Sequence, residues 1–190
     1  MRRPVRGYIS ISRLLVMGAC LLLMDDLSLV SVQTGGIKKD PADVVRKYVS
    51  LDEKGARLAP MSFESQRPYI SWTEEPVWGY AVVIRGVNVV DVTKEWDIIS
   101  PFEAIIPVEY AVLGRIYWDP ASFIADAVPE RAGFRIKLFK DRWKIADPIL
   151  PPHIARTRLL NFVRQALLDE KDPIRVAKLT ELRHDLERLK

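Results

Sequence analysis

Two short alternating segments in the second half of the chain restrict its fold most. Phe134–Phe139 alternates between apolar and mostly charged side chains, and Trp143–Ile145 alternates again. A period of two places one face of a strand in the core and the other in water. The polar link Lys140–Arg142 between them favours an antiparallel hairpin, which Asp147-Pro148 ends. The rest of the fold has to be compatible with this hairpin.

Helical signals precede the strands. Asp40 is placed to cap free N–H groups, and Pro41 suits the first position of a helix. We therefore predict a helix beginning at Asp40-Pro41. A second, shorter helical segment is predicted over Ser62–Arg67, ended by Pro68.

The middle of the chain has the composition of strands. Trp78–Thr93 and Glu103–Tyr117 are rich in β-branched, aromatic and other apolar residues, with Gly86 as a bend or bulge in the first. Lys94–Pro101 and Asp119–Arg131 are interpreted as connections. Helices followed by antiparallel strands indicate an α+β fold.

Two helices are predicted after the strands. The first spans about His153–Leu168, and the second begins at Asp172-Pro173. Leucines recur along the second helix at spacings of three and four: Leu179, Leu182, Leu186 and Leu189. We expect this seam to pack on its own domain. The alternative is that Asp172–Lys190 is a docking stripe of an assembly protein.

The net charge of +4 is confined to the start of the chain. Residues 1–13 contain four arginines and no acid, so 25 basic and 25 acidic residues remain from residue 14 onward. Phosphate binding requires a surplus of positive charge on one surface. We therefore expect no nucleic-acid partner.

The start of the chain resembles an export signal. Basic residues are followed by the apolar run Leu14–Met24, which is too short to span a bilayer as a helix. One interpretation is a signal peptide over about residues 1–30, cut between Ser28 and Gly36. A second is a lipoprotein, in which Cys20 carries the lipid and attaches the protein to the membrane. A third is a wrongly assigned start codon.

The hairpin also carries a family resemblance. Gly133–Leu138 followed by Asp141–Pro148 resembles the last two strands of the nuclear transport factor 2-like superfamily, which includes polyketide-cyclase-like and ketosteroid-isomerase-like proteins. The similarity covers about Asp40–Leu150. It implies a cone, in which a curved antiparallel sheet wraps around the N-terminal helix and leaves an apolar pocket. It also implies dimerisation through the open sheet face.

Three units follow from these observations. Residues 1–36 are a signal or leader with a linker, 37–150 the nuclear transport factor 2-like domain, and 151–190 a C-terminal helical extension. The location implied is the periplasm or the extracellular space of a bacterium.

Catalysis in such a cone requires a general base and an oxyanion donor. Glu109 is the most notable base, because it interrupts an apolar strand. The interpretation that we favour is that Glu109 faces solvent or an arginine such as Arg135. The remaining candidates are Asp91 and Glu103 as bases, and Tyr80 and Tyr110 as donors.

The histidines and tryptophans give weaker evidence for catalysis. His153 and His184 fall in the predicted C-terminal helices, where we expect structural roles. Trp72 and Trp78 flank a loop at the expected pocket mouth and are core residues or ligand contacts. With Tyr80 and Glu109 they form the predicted ligand-binding set. The chain has one cysteine and two histidines, so no metal site and no cofactor are predicted.

We therefore expect a non-catalytic protein of the cell envelope that binds a small apolar ligand or a partner protein, through the cone-shaped pocket or the sheet face. The alternative is a small lyase or isomerase that uses a carboxylate in the pocket. The two functions predict different pockets. An enzyme should have an ionisable side chain at the pocket floor, whereas a binding protein should have an apolar or filled pocket.

Overall fold

A helix begins the described part of the chain, which comprises residues 40–58 and 62–189 of a computed structural model. Helix α1 spans Pro41–Glu53, and the Asp40 side chain accepts a hydrogen bond from the Ala42 N–H at 3.0 Å. Pro41 stands in the first turn, where its missing N–H costs no intrahelical bond. The predicted helix start is confirmed.

Two short 3-10 turns follow α1, over Ser62–Ser65 and Arg67–Tyr69. The prediction of one helical segment ended by Pro68 is wrong in its second half, because Pro68 lies inside the second turn. A proline is tolerated in the first turn of a helix, since the N–H that it lacks would have no intrahelical acceptor there.

Within the described residues, seven strands form one mixed sheet that is strongly curled into a half-barrel. The strands are β1 Tyr80–Val89, β2 Asp97–Ser100, β3 Glu103–Tyr117, β4 Ser122–Ala125, β5 Glu130–Phe139, β6 Arg142–Asp147 and β7 His153–Ala155. The main order is β6-β5-β3-β1-β7, and β2 and β4 each pair with one end of the long β3. The predicted α+β class is confirmed.

The predicted hairpin is formed by β5 and β6. Ile136 pairs with Ile145, and Leu138 pairs with Trp143. Lys140 and Asp141 at the turn have positive φ angles of 45° and 64°. Two such residues in succession are typical of the type I′ turn, whose twist matches that of the flanking strands.

The segments predicted as connections, Lys94–Pro101 and Asp119–Arg131, contain the short strands β2 and β4. Each has four residues, and their side chains are largely half-buried or exposed. Strands this short show no clear alternation in the sequence. They form because β3, with fifteen residues, extends beyond its pairing with β1 at one end and with β5 at the other. Its remaining backbone groups require partners.

The prediction of a wholly antiparallel sheet is wrong, because β7 pairs with β1 in parallel. His153–Ala155 forms this strand, and the following helix begins only at Arg156. Pro151 and Pro152 favour extended backbone and resist helix formation before them. The Val82 N–H donates to the Pro152 carbonyl at 2.8 Å, which attaches the segment to β1.

The first half of strand β1 is buried on both faces. Val82 and Ile84 belong to a core shared with α1, β3, β5 and β6, whereas Ala81 and Val83 belong to a second core. Successive side chains of a strand point to opposite faces of the sheet. This half of β1 therefore separates the two cores, and residues 80–84 are continuously apolar instead of alternating.

The second core contains helices α2 (Arg156–Asp169) and α3 (Pro173–Arg188). Leu182 and Leu186 of α3 are buried in it. The leucine seam packs within its own chain, as predicted. Residues 151–190, expected as an extension, share this core with the sheet.

The signal peptide, linker and lipidation at Cys20 predicted for residues 1–36 lie outside the described residues. In residues 40–58 and 62–189, no helix is both long enough and apolar enough to cross a membrane.

Candidate functional site

Three charged side chains meet in the interior beyond the end of α1, and we call Asp52, Arg57 and Glu75 the Arg57 network. The Arg57 side chain is 2% exposed and donates to both Asp52 carboxylate oxygens, at 2.8 and 2.6 Å. It also donates to Glu75 Oε1 at 2.9 Å and to the Leu150 carbonyl at 2.8 Å. Asp52 accepts the His153 N–H at 2.9 Å. The network therefore connects α1, the loop before β1 and β7.

The charge of the network is negative. Burial by itself lowers the pKa of Arg57, but the charge and hydrogen bonds of Asp52 outweigh burial, and the pKa is raised above its ordinary value. The guanidinium therefore stays charged. Two acidic side chains surround one cation, so the formal charges of the three residues leave one negative charge in excess. The guanidinium donors are largely occupied.

A second polar group lies beside the network and consists of His153, Tyr110 and Glu130. The His153 side chain is 1% exposed, and its Nδ1 lies 2.8 Å from the Pro151 carbonyl, which requires a proton on Nδ1. Its Nε2 lies 3.5 Å from Glu130 Oε2, within ion-pair range. The Tyr110 ring stacks on the imidazole with centroids 4.2 Å apart.

The neighbours of this group alter its acidity. The His153 imidazole lowers the pKa of the Glu130 carboxyl, against a partial burial that raises it. Burial raises the pKa of the Tyr110 phenol, so this side chain is neutral at physiological pH. An imidazole, a carboxylate and a phenol in contact are the groups that proton-transfer chemistry uses.

A cavity of about 700 Å³ lies between α2, α3 and the turn that joins β3 to β4, and we call it the α2–α3 cavity. Its most buried members are Val163 and Leu182, at 1% and 2% exposure. Three of its four charged members, Asp119, Arg175 and Lys178, are exposed, and the fourth, Glu170, is half-buried. The other residues that line it are Trp118, Pro120, Ala121, Phe162, Ala166, Ile174 and Leu179. Its floor is therefore apolar and its rim charged.

A second cavity, of about 440 Å³, adjoins the first, and we call it the aromatic cavity. Trp118 and Phe162 line both cavities, with their rings edge to face at 6.2 Å. The aromatic cavity also contains Trp78 and two members of the network, Arg57 and Glu75. It therefore combines three aromatic rings with a carboxylate.

A third cavity, of about 500 Å³, lies beside β1 and β3. Tyr110 and Glu130 line it, together with Glu109 and Arg131. This cavity gives two members of the His153 group a route to solvent, whereas the imidazole itself is enclosed.

Similarity to other proteins assigns no role to these cavities. Searches against protein-family models, curated proteins and solved structures found no match to this chain. Among residues 40–58 and 62–189, no group of three or more His, Cys, Asp or Glu side chains is placed to hold a metal ion.

The three candidate bases all lie in ion pairs. Glu109 is on the exposed face of β3, 3.9 Å from Arg131 and 3.4 Å from the Asn88 amide. Asp91 is exposed and lies 3.4 Å from Arg46. Glu103 accepts from Arg135 at 3.0 Å and lies 3.4 Å from Lys137. The structure does not bring these three carboxylates together.

The aromatic candidates divide between core and cavity. Trp72 packs in the first core, edge to face with Tyr48 at 6.1 Å. Trp78 lines the aromatic cavity. The Tyr80 ring packs edge to face against the Trp78 ring, with the ring centroids 6.3 Å apart. Tyr110 is buried against His153. Trp78 and Tyr80 are therefore the predicted ligand contacts that the fold brings together.

Sequence reasoning missed several of the residues that form the sites, namely Asp52, Arg57, Glu75 and Glu130. Asp52 follows Val45, Tyr48 and Val49 on the buried side of α1, so a carboxylate occupies an apolar position of the helix. An acid at such a position signals a buried partner. His153 lies on β7 and not in the predicted helix, and neither Phe162 nor Trp118 is among the predicted ligand contacts. His184 is exposed on α3.

Proposed function

We propose that this protein is a non-catalytic binding protein and that its ligand is a small apolar molecule held in the α2–α3 cavity. The apolar floor of this cavity carries the proposal. Phe162, Ala166 and Leu179 are half-buried apolar residues of its lining, next to the fully buried Val163 and Leu182. The half-buried Glu170 at its edge already accepts the Lys171 and Asp172 N–H groups. Pockets of several hundred Å³ with apolar walls are typical of small-molecule sites.

Two other surfaces are less suited to an apolar ligand. On the α1 side of the sheet, Val45, Tyr48 and Val49 of α1 pack tightly against the strands, and each is at most 3% exposed. The exposed face of β3 and β5 carries ion pairs such as Glu103–Arg135. A ligand in either place would have to displace packed side chains or desolvate charges.

The proposal retains the nuclear transport factor 2-like cone and export to the cell envelope, with a partner protein or a second copy as a further occupant of the sheet face. The resemblance of the hairpin and the basic-apolar order of the first residues support these parts. Mass spectrometry of the mature protein tests export. A new N-terminus between Ser28 and Gly36, or a lipidated Cys20, is expected, and an intact Met1 in the cytosolic fraction would contradict it.

Binding of the neutral fluorescent dye N-phenylnaphthylamine tests the cavity. We expect saturable enhancement of its fluorescence by the wild-type protein. The substitution Ala166→Phe fills the cavity and should weaken binding about tenfold or more. Ala177→Phe makes the same change on the exposed side of α3 and should leave binding unchanged.

Circular dichroism of both variants keeps the comparison interpretable. Native-like melting of the Ala166→Phe variant with lost dye binding supports the proposal. Absence of saturable binding to the wild type, or equal binding by the two variants, overturns it.

A second candidate function, a small lyase or isomerase, is favoured by one observation. The imidazole of His153, the Glu130 carboxylate and the Tyr110 phenol are in contact beside an open cavity of about 500 Å³. In this candidate Glu130, held ionised by the imidazole, is the base, and Tyr110 is the hydrogen-bond donor.

Modification by diethyl pyrocarbonate tests this second candidate. The reagent acylates accessible neutral imidazoles, and the exposed His184 is an internal control. A substrate that reaches Glu130 must come close to His153 Nε2, which lies 3.5 Å from Glu130 Oε2, so His153 should react at a measurable fraction of the rate of His184. Peptide mass spectrometry that finds His184 modified and His153 untouched after prolonged reaction would contradict this candidate function.

A further inference from the structure

We infer that the ligand is a cationic amphiphile, with its apolar chain in the α2–α3 cavity and an ammonium head group in the aromatic cavity. The inference rests on the proposed binding function and names the class of its ligand. Its starting point is that the two cavities share Trp118 and Phe162 in their walls. The two cavities therefore adjoin at these rings, and the inference places one elongated molecule across both.

The polar side chains of the aromatic cavity disfavour an anionic head group. The Arg57 guanidinium donates to Asp52, Glu75 and the Leu150 carbonyl. An anionic head group could pair with this guanidinium only by displacing a carboxylate that already accepts its hydrogen bonds. The side chain is also 2% exposed, which leaves little surface for a ligand to contact.

The same cavity has two features that favour a cation. Glu75 is 20% exposed and uses Oε1 for Arg57, while its Oε2 has no hydrogen bond to any residue in the described part of the chain. The Arg57 network has one negative charge in excess, so a cation beside Glu75 neutralises it. Trp78, Trp118 and Phe162 contribute three aromatic rings to its lining. Tryptophan is the ring that binds ammonium groups best.

The test compares three amphiphiles with the same chain and different heads: decyltrimethylammonium, decanol and decanoate, each below its critical micelle concentration. Displacement of N-phenylnaphthylamine measures their affinities. We expect the ammonium to bind about tenfold more tightly than decanol, and decanoate more weakly than decanol.

Substitution of Glu75 tests the head-group site. Glu75→Gln should remove most of the preference for the ammonium over decanol, with decanol binding unchanged. Glu74→Gln removes the same charge one residue away, on a side chain that does not line the cavity, and should retain the preference. If Glu75→Gln does not fold, Trp118→Leu replaces it, because loss of the ring should also reduce the preference.

The outcomes separate this inference from the proposed function. Binding of the dye and of decanol without a preference for the ammonium overturns the inference and leaves the binding function standing. A preference unaffected by Glu75→Gln or by Trp118→Leu also overturns it. If neither the dye nor any amphiphile binds, both proposals are wrong.

Discussion

Arg57 is the residue on which the interior electrostatics depend most. Its guanidinium neutralises one of two buried or half-buried carboxylates and attaches the chain at Leu150 to the end of α1. A buried ion pair is costly to form but costlier to break, because the partner left behind has lost its hydration. Arg57 therefore offsets the free-energy cost of burying the Asp52 carboxylate in the core.

We predict that Arg57→Met lowers the free energy of unfolding by about 3–5 kcal/mol, because Asp52 is left as a buried charge without its cation. Urea denaturation followed by circular dichroism measures the change. Arg67→Met is the matched control, since Arg67 pairs with Glu64 on the surface. It should cost no more than about 1 kcal/mol. Equal losses in the two variants would contradict a special role of Arg57.

Glu130 should make stability depend on pH in the acid range. Its pKa in the folded protein lies below its ordinary value, chiefly because of the neighbouring His153. A carboxyl of this kind stabilises the fold above its unfolded-state pKa, and the contribution disappears as the pH falls through the folded-state pKa. Wild type should therefore exceed Glu130→Gln in unfolding free energy at pH 6–7.

Urea titrations at several pH values check this prediction. The difference between wild type and Glu130→Gln should shrink as the pH is lowered below the ordinary carboxyl pKa of 4.5. Glu181→Gln, at an exposed position of α3, controls for the loss of one negative charge. A difference that is constant with pH would show that Glu130 acts through packing alone.

Among the elements, β3 depends on one glycine. Gly114 lies where β3 meets β4, and a Cβ there would lie 2.3 Å from the Ile124 carbonyl oxygen and 2.5 Å from the Phe123 ring. Its φ of 155° also favours glycine. The pairing of β4 with β3 therefore requires the absence of a side chain at this position.

Gly114→Ala should lower the free energy of unfolding by at least about 1 kcal/mol, since the backbone must move to relieve the overlap between the added Cβ and the Ile124 carbonyl. Gly86→Ala is the control, because a Cβ at Gly86 has no neighbour within 4 Å. It should change stability by less than about 1 kcal/mol. Thermal unfolding of the two variants measures the contrast. Similar midpoints for the two would mean that β3 and β4 separate at no cost.

At the scale of the whole molecule, the two cores are expected to unfold together because β1 contributes side chains to both. Leu186→Ala removes a fully buried side chain from the second core and should cost about 2–5 kcal/mol. The same loss should appear in the hydrogen-exchange protection of the Phe134 amide, in the first core. Leu168→Ala, at a 77% exposed leucine, should leave that protection unchanged. Unaltered protection at Phe134 in the Leu186→Ala variant would show that the cores are independent.

Local patterns predicted much of the fold. The capped start of α1, the bounds of β3 and the β5–β6 hairpin follow from short-range signals that act within a few residues. The sequence could not reveal β2, β4 or the parallel pairing of β7, because these depend on backbone groups that distant strands leave unpaired. The sites were predicted less well. Trp78 borders a cavity, but Asp52, Arg57 and His153 acquire their environment from segments about a hundred residues apart.

The position of Trp118 gives the protein a built-in optical reporter. Its indole borders both the α2–α3 cavity and the aromatic cavity and is 36% exposed to water. Any guest that enters either space replaces solvent at this chromophore, so the emission maximum should move to shorter wavelength. Unlabelled compound libraries can therefore be screened by the intrinsic emission of the protein. Trp118→Phe should remove the response to guests in the α2–α3 cavity, whereas Trp78 continues to report on the aromatic cavity.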